Sequence, residues 1–191
     1  MADLGTALPS FQLRDVRTGR MVECPGTMSG RPVLVMFICR HCPFVMHVRQ
    51  EIARVGRDYA GRVDIFAISS NDAANFPDDS PERLKQMAEE LKFTFPLCHD
   101  ETQAVAKQFA AACTPDFFLY NAAHRLAYRG QLDGSRPGNG APVDGRDLRA
   151  ALDALLAGRQ PAATQYPSIG CNIKWKAGNQ PEYFASAVVR K

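Results

Sequence analysis

The sequence predicts an α/β sandwich with a central mixed sheet, an N-terminal β-hairpin and a C-terminal extension. Two apolar runs rich in β-branched residues, 33–38 and 63–69, have the pattern of strands that are covered on both faces. Each run is followed by apolar residues at helical spacing, and such alternation of strand and helix is typical of α/β domains. A chain of 191 residues is long enough for one such domain with a substantial tail.

The N-terminal half begins with a hairpin over residues 11–23, where strand-forming residues flank a Thr-Gly turn. The strand over 33–38 follows, and a helix then begins at Pro43, because proline suits the first helical position, where its missing N–H costs nothing. Gly61 marks the end of this helix, and the strand over 63–69 comes next. The predicted order of these elements is hairpin, strand, helix, strand.

The middle of the chain carries two predicted helices separated by a short strand. Ser80 and Pro81 have the pattern of a helix start after a polar loop. The short strand covers residues 95–98, and Asp100 with Gln103 resembles a capping arrangement for the second helix.

The C-terminal part supplies the antiparallel strands. The runs FFLY and LAYRG form a predicted hairpin, and a last amphipathic helix ends at Gly158. Residues beyond it show no clear periodic element. We therefore predict a domain over residues 1–158 and a tail over 159–191 that packs on it.

Composition and charge narrow the classes of function. The net charge of +3 is small and its basic residues are scattered among acidic ones, so we expect no nucleic-acid partner. The N-terminal segment lacks a secretory pattern and no apolar run is long enough to span a bilayer, so we expect a cytoplasmic protein with no membrane partner. Without a glycine-rich phosphate loop or a dinucleotide fingerprint, no cofactor is expected.

Six cysteines are too few for a secreted disulfide scaffold and indicate buried thiols with a redox or metal pair. The motif CRHC lies where the first buried strand passes into the first long helix. With Pro43 at the first helical position, Cys42 falls at the N-cap, where free backbone N–H groups and the helix dipole favour the reactive thiolate. We therefore predict an accessible, ionised sulfur at Cys42, with Cys39 near enough along the chain to form a disulfide with it.

The order of strand, cysteine motif and helix, with Thr114-Pro115 before a later strand, resembles the thioredoxin fold. The segments PSFQLRDVRTGR, FPLCHDET and TPDFFLYN are similar to the redoxin branch that includes AhpC/TSA-type peroxiredoxins and TlpA-like reductases. CRHCPFV and SIGCNIKWK further resemble bacterial thioredoxin family proteins of poorly defined activity. The resemblance implies a cis peptide bond before Pro115 and a Thr114 backbone that pairs with an extended substrate beside Cys42.

The resemblance places the attacking position on Cys42 and the resolving position on Val45, which has no sulfur. The resolving thiol therefore stays open. Cys39 is the first candidate because the loop to be closed is short, and Cys171 in the tail is the second. The tail carries three apolar residues that could hold Cys171 over the site: Ile169, Ile173 and Trp175. The expected substrate-binding residues are Thr114, Pro115, Pro43 and His41, of which His41 could also stabilise the thiolate or move protons.

These residues leave several functions open. The first is a thiol–disulfide oxidoreductase that acts on a protein or small-molecule disulfide and uses a thiol electron donor. A peroxiredoxin-like, antioxidant thiol peroxidase is weakened as a hypothesis, because the proline and threonine of the peroxidatic pattern are replaced by Val35 and Cys39. A copper or zinc metallochaperone would use Cys39, Cys42 and His47, and an interaction module would use no catalysis. The resemblance also brings a homodimer into consideration.

Overall fold

The computed structural model describes residues 2–26 and 30–184. In these residues the strands are β1 (Phe11–Arg14), β2 (Met21–Cys24), β3 (Val33–Phe37), β4 (Asp64–Ser69), β5 (Leu97–His99), β6 (Cys113–Thr114), β7 (Asp116–Tyr120), β8 (Leu126–Gly130) and β9 (Cys171–Asn172). The helices are α1 (Pro43–Asp58), α2 (Pro81–Glu90), α3 (Ala104–Gln108) and α4 (Arg146–Leu156), with a single 3₁₀ turn at Pro77–Asp79. None of the helices in the described part of the chain has the length and apolar character needed to cross a membrane.

The central sheet has the strand order β5-β4-β3-β7-β8. Strand β3 pairs parallel with β4 and antiparallel with β7, so the prediction of a mixed sheet is confirmed. The N-terminal hairpin forms from β1 and β2, and the second predicted hairpin forms from β7 and β8. All five residues of β3 are buried, as expected for a strand that is covered on both faces.

Alternation along β3 creates two apolar layers, one on each face of the sheet. Leu34 and Met36 face a layer that includes α1 and α4. Val35 and Phe37 face a second layer, which contains the aromatic cluster of α3 and β7 together with the tail residues Ile173 and Trp175. The tail is therefore part of the core on one face of the sheet. The rest of the predicted tail, residues 185–191, lies outside the described residues.

One predicted feature, the cap of the second middle helix, differs in the structure. Gln103 is the N-cap of α3 with a left-handed φ of 62°, and Asp100 accepts a hydrogen bond from the Ala106 N–H instead. The Gln103 side-chain amide donates to the carbonyl oxygens of Ser70 and Lys174, at 2.7 and 2.9 Å. The predicted capping pair fails because Gln103 is used to hold the tail, a contact that local sequence does not encode.

Candidate active site

The cysteine motif forms the turn between β3 and α1. Cys42 is the N-cap of α1, with extended backbone angles of φ −69° and ψ 123°, and Pro43 occupies the first helical position. The Met46 N–H donates to the Cys42 carbonyl oxygen at 2.9 Å, which closes the first helical turn. The predicted placement of this sulfur at the amino end of the first long helix is confirmed. Pro43 itself is exposed on the outside of the turn.

Thr114 lies against both sulfurs of the motif. The peptide bond between Thr114 and Pro115 is cis, as the resemblance implied. The Cys42 thiol donates to the Thr114 carbonyl oxygen at 3.1 Å, and the Cys39 sulfur lies 3.2 Å from the Thr114 hydroxyl oxygen. Thr114 and Pro115 are thus beside the cysteine motif, where a substrate chain was expected to bind.

The tail brings a third sulfur to the same place. Strand β9 pairs antiparallel with β6, so that Cys171 lies opposite Thr114. Cys171 is close enough to Cys42 that hydrogen bonding from its thiol and its backbone N–H contributes to lowering the pKa of Cys42. We call residues 168–176 the strap. The sulfurs of Cys39, Cys42 and Cys171 therefore form one cluster around Thr114.

Gly170 allows the strap to approach this closely. A Cβ atom on Gly170 would lie 2.0 Å from the Thr114 carbonyl oxygen and 2.6 Å from the Thr114 carbonyl carbon, distances that real Cβ atoms essentially never show. The strap is anchored by Ile173 and Trp175, which are buried as expected. Ile169 was expected to be a third anchor, but it is 54% exposed because it follows the outer side of the strap.

The strap and Thr114 enclose the predicted nucleophile. Cys42 is 0% exposed and Cys39 is 1% exposed, whereas Cys171 is partly exposed. The expectation of an accessible Cys42 sulfur is therefore wrong for this conformation. Its enclosure is partly polar, since a carbonyl oxygen, two thiols and backbone N–H groups face the sulfur.

The hydrogen-bond donors around Cys42 favour its thiolate. The Cys39 thiol is the strongest of them and lowers the pKa of Cys42; burial opposes this effect, and the Val45 N–H and Cys171 add to the lowering. The Thr114 carbonyl oxygen accepts a hydrogen from the thiol form and also opposes ionisation, but the donors outnumber it. Donation to Cys42, with burial, raises the pKa of Cys39, and burial followed by the same donation raises that of Cys171. Among the three sulfurs, Cys42 ionises first.

A buried carboxylate that sequence reasoning missed holds the motif turn. One oxygen of Asp79 accepts hydrogen bonds from the backbone N–H groups of Arg40 and His41, at 2.7 and 3.3 Å. The other oxygen lies 2.5 Å from His41 Nδ1 and accepts a bond from the Asn71 amide at 2.7 Å. The His41 ring also stacks on Phe76, with the ring centroids 5.5 Å apart. Asp79 thus fixes the backbone between the two motif cysteines and orients the imidazole.

The residues near Cys39 differ from the metal set that the sequence suggested. Ligand atoms of Cys39, His41 and Asp79 lie within 4.8 Å of one another, and this is the group found within the described ranges. His47, the expected third ligand, instead lines a small cavity beside Pro115. Both oxygens of Asp79 already accept two hydrogen bonds each, so a metal ion would have to displace existing donors.

The remaining cysteines lie away from this cluster or contact it only through packing. Burial raises the pKa of Cys24 and of Cys98 to about 12, which keeps both as thiols at neutral pH. Cys113 is buried in β6, and burial likewise raises its pKa. These three residues fit the buried thiols that the cysteine count predicts beside the working pair.

Comparison with known proteins gives a family and two long matches. A model of the AhpC/TSA family matches residues 4–129. An uncharacterized conserved protein from Geobacillus kaustophilus is 52% identical, with a TM-score of 0.89 over 92% of this chain and 94% of that chain. A hypothetical protein from Sinorhizobium meliloti is 46% identical, with a TM-score of 0.90 over 93% of this chain and 97% of that chain. Both matches extend past the residues that the family model covers.

A more distant structure shares the fold. The thioredoxin domain of a thiol-disulfide oxidoreductase from Bacteroides vulgatus is 17% identical, with a TM-score of 0.55 over 68% of this chain and 89% of that chain. No curated protein matches the chain.

Proposed function

Because the chain belongs to the AhpC/TSA family, whose members are thioredoxin-fold redox proteins, we propose that it is a thiol–disulfide oxidoreductase with Cys42 as its attacking sulfur. The observation that carries the proposal is the setting of Cys42. Its sulfur lies at a helix N-terminus, receives hydrogen bonds from Cys39 and Cys171, and has a pKa lowered by them.

The reaction begins with the Cys42 thiolate. It attacks one sulfur of a disulfide, the substrate S–S bond breaks, and the departing sulfur leaves with the electron pair as a thiolate. Cys42 is now joined to the other half of the substrate as a mixed disulfide. Cys39 then loses its proton and attacks the Cys42 sulfur, which releases the second substrate thiolate and leaves a Cys39–Cys42 disulfide. A thiol electron donor restores the reduced pair.

His41 and Asp79 support the second step. The Cys39 thiol must lose its proton before it can attack, and its pKa is raised in the reduced protein. A ring nitrogen of His41 and a carboxylate oxygen of Asp79 lie within 4.8 Å of the Cys39 sulfur. The imidazole, held through Nδ1 by Asp79, is in our proposal the base that receives this proton.

The test is reaction of the reduced full-length protein with a dithiol oxidant, diamide, followed by alkylation of free thiols and peptide mass mapping. We expect Cys42 in the first disulfide that forms and no such disulfide in Cys42→Ser. Cys98→Ser is the matched control, since Cys98 is buried and remote from the cluster. If Cys42 stays reduced while other cysteines are oxidised, the proposed nucleophile is incorrect.

Thiol peroxidase activity is a second candidate, favoured by the family match over the cysteine motif. The Cys42 thiolate would attack a hydroperoxide, take up one oxygen as a sulfenic acid and release water or an alcohol. The measurement is hydroperoxide consumption per mole of protein, with Cys42→Ser as control. Consumption equal in the two proteins would reject this candidate.

A further inference from the structure

A substrate cannot reach Cys42 directly in this conformation. Cys42 is 0% exposed, and the strap lies over Thr114, whose carbonyl oxygen accepts a hydrogen bond from the Cys42 thiol. Strand β9 also occupies the edge of β6 at Thr114, where an extended polypeptide would otherwise pair. Gly170 packs so closely on Thr114 and Pro115 that no second chain fits between them.

The strap is attached on both sides of Cys171. Before it, the Ser168 hydroxyl donates to the Gly130 carbonyl oxygen at 2.6 Å. Its Ile173 and Trp175 side chains are buried in the second apolar layer. The Lys174 N–H donates to the Asn71 side-chain oxygen and the Lys174 carbonyl oxygen accepts from the Asp72 N–H, both at 2.8 Å. Opening the strap would therefore break backbone pairing and expose two large apolar side chains.

Cys171 is the cysteine of the cluster that is partly exposed to solvent. All six cysteines lie in the described residues, and five of them are buried, whereas Cys171 is partly exposed. Cys171 also lies next to the enclosed Cys42, because it pairs with Thr114, whose carbonyl oxygen accepts a hydrogen bond from the Cys42 thiol. An external reagent therefore encounters Cys171 before it encounters Cys42.

We propose that Cys171 is the sulfur that exchanges with the external substrate and passes the disulfide to the enclosed Cys42, and that this substrate is a low-molecular-weight thiol or disulfide. This inference rests on the proposed thiol–disulfide chemistry and assigns its entry point and substrate class. The disulfide that Cys42 attacks is then the one between Cys171 and the small molecule, and Cys171 takes the place of the substrate half in the mixed disulfide with Cys42. The filled β6 edge excludes strand pairing by a polypeptide, but it leaves the solvent-facing side of Cys171 open to a small molecule.

Glutathione disulfide serves as the example of a small disulfide that reacts with the protein in two steps. Cys171 attacks one glutathione sulfur, the glutathione S–S bond breaks, and the Cys171 proton passes to the departing sulfur, which leaves as glutathione thiol. The Cys42 thiolate then attacks the Cys171 sulfur, expels the second glutathione thiolate and forms a Cys42–Cys171 disulfide. Cys39 can attack Cys42 in turn, which returns Cys171 to the thiol. In the reverse direction a small thiolate attacks Cys171, and Cys42 departs readily because its thiolate is stabilised.

The experiment follows the reaction of the reduced full-length protein with glutathione disulfide, by acid quench, alkylation and peptide mass mapping. In Cys42→Ser we expect glutathione to accumulate on Cys171, because the second attack is missing. In Cys171→Ser we expect the oxidation of Cys42 to slow by at least about tenfold, because access sets the rate. Cys98→Ser is the control for loss of a buried thiol, and circular dichroism checks that each variant is folded.

The outcomes separate the two proposals. Unchanged oxidation of Cys42 in Cys171→Ser would overturn the role of Cys171 and leave Cys42 as the nucleophile. A Cys42 that stays reduced in every variant, including the unsubstituted protein, would overturn the proposed function itself.

The proposed substrate class is tested with the variant Gly170→Val, whose side chain would push the strap away from Thr114. We expect this variant to react faster than the unsubstituted protein with a disulfide inside an extended peptide, because the β6 edge and Cys42 are uncovered. Equal peptide reactivity in the two folded proteins would overturn the exclusion of polypeptides.

Discussion

The two flanks of Cys42 differ in how they hold a second sulfur. On the motif side, Cys39 is enclosed and the turn is fixed by the buried carboxylate of Asp79. On the strap side, Cys171 is held by strand pairing and remains in contact with solvent. The motif flank gives Cys42 an enclosed thiol with a proton acceptor close by, and the strap flank gives it a thiol that is partly exposed to solvent. The same thiolate can therefore serve two different exchange partners.

Removing the Cys42 sulfur, which both flanks share, should have the largest effect on the rate of thiol–disulfide exchange. We expect Cys42→Ser to lower the rate of thiol–disulfide exchange by at least about a hundredfold, because neither flank then has a partner. Turnover of a small disulfide in the presence of excess dithiothreitol measures this effect. A variant that keeps more than half the activity would mean that the flanks do not share Cys42.

Removing Asp79 should damage the motif flank selectively. In Asp79→Asn one carboxylate oxygen is replaced by an amide nitrogen, which cannot accept a hydrogen bond, so buried donors of the turn lose their partner. We therefore expect the free energy of unfolding to fall by about 2–4 kcal/mol. Urea denaturation measures this loss.

A purely structural role of Asp79 predicts unchanged pH dependence of the exchange rate in the folded variant. We expect instead that formation of the Cys39–Cys42 disulfide in this variant requires a higher pH, while glutathione attachment to Cys171 keeps its pH profile. Identical profiles for both reactions in the two proteins would contradict the proton-transfer role.

Loosening the strap should affect the other flank. Trp175→Ala removes a buried side chain at the end of the strap, and we expect the free energy of unfolding to fall by about 3–5 kcal/mol and Cys42 to be alkylated faster by iodoacetamide. Trp175→Phe retains most of the buried area and is the matched control. A destabilised Trp175→Ala variant with unchanged Cys42 alkylation would show that the strap does not control access.

The smallest expected effect is on stability as a function of pH. A pKa that is lower in the folded protein than in the unfolded chain stabilises the fold at a pH above the unfolded value, and this contribution is lost as pH falls toward the folded value. Over that window, unfolding free energy in the reduced protein should rise with pH more steeply than in Cys42→Ser. Parallel curves for the two proteins would mean that the Cys42 pKa is the same in both states.

Local sequence was sufficient to place the two cysteines of the motif flank, but not to identify Asp79 or the pairing of the strap. The apolar run before Cys39 and the proline after Cys42 specify a buried strand and a helix start, and these fix the N-cap position. Asp79 could not be identified in the same way, because it follows the motif by a long interval in a polar loop. Its contact with the turn depends on how β4 places that loop.

The enclosure of Cys42 also depends on distant residues. It requires the strap to return to Thr114, a pairing between β6 and β9 that has no local signal in either two-residue strand. A partial signal was present in the sequence, since a glycine directly before Cys171 in an extended apolar segment indicates a close approach of two backbones. The resemblance implied that the Thr114 backbone pairs with an extended substrate, whereas in this structure the tail pairs there, as the alternative with Cys171 over the site had anticipated.

Strand β9 joins the C-terminal region to the start of α1 through two sulfurs that are already in contact. A covalent bond between Cys42 and Cys171 would close a loop of roughly 130 residues. A cross-link of that span lowers the entropy of the unfolded chain and stabilises the folded protein by about 4–5 kcal/mol. Oxidation would then make the protein harder to digest with protease and raise its melting temperature. The lifetime of the protein would then increase with the oxidant concentration around it.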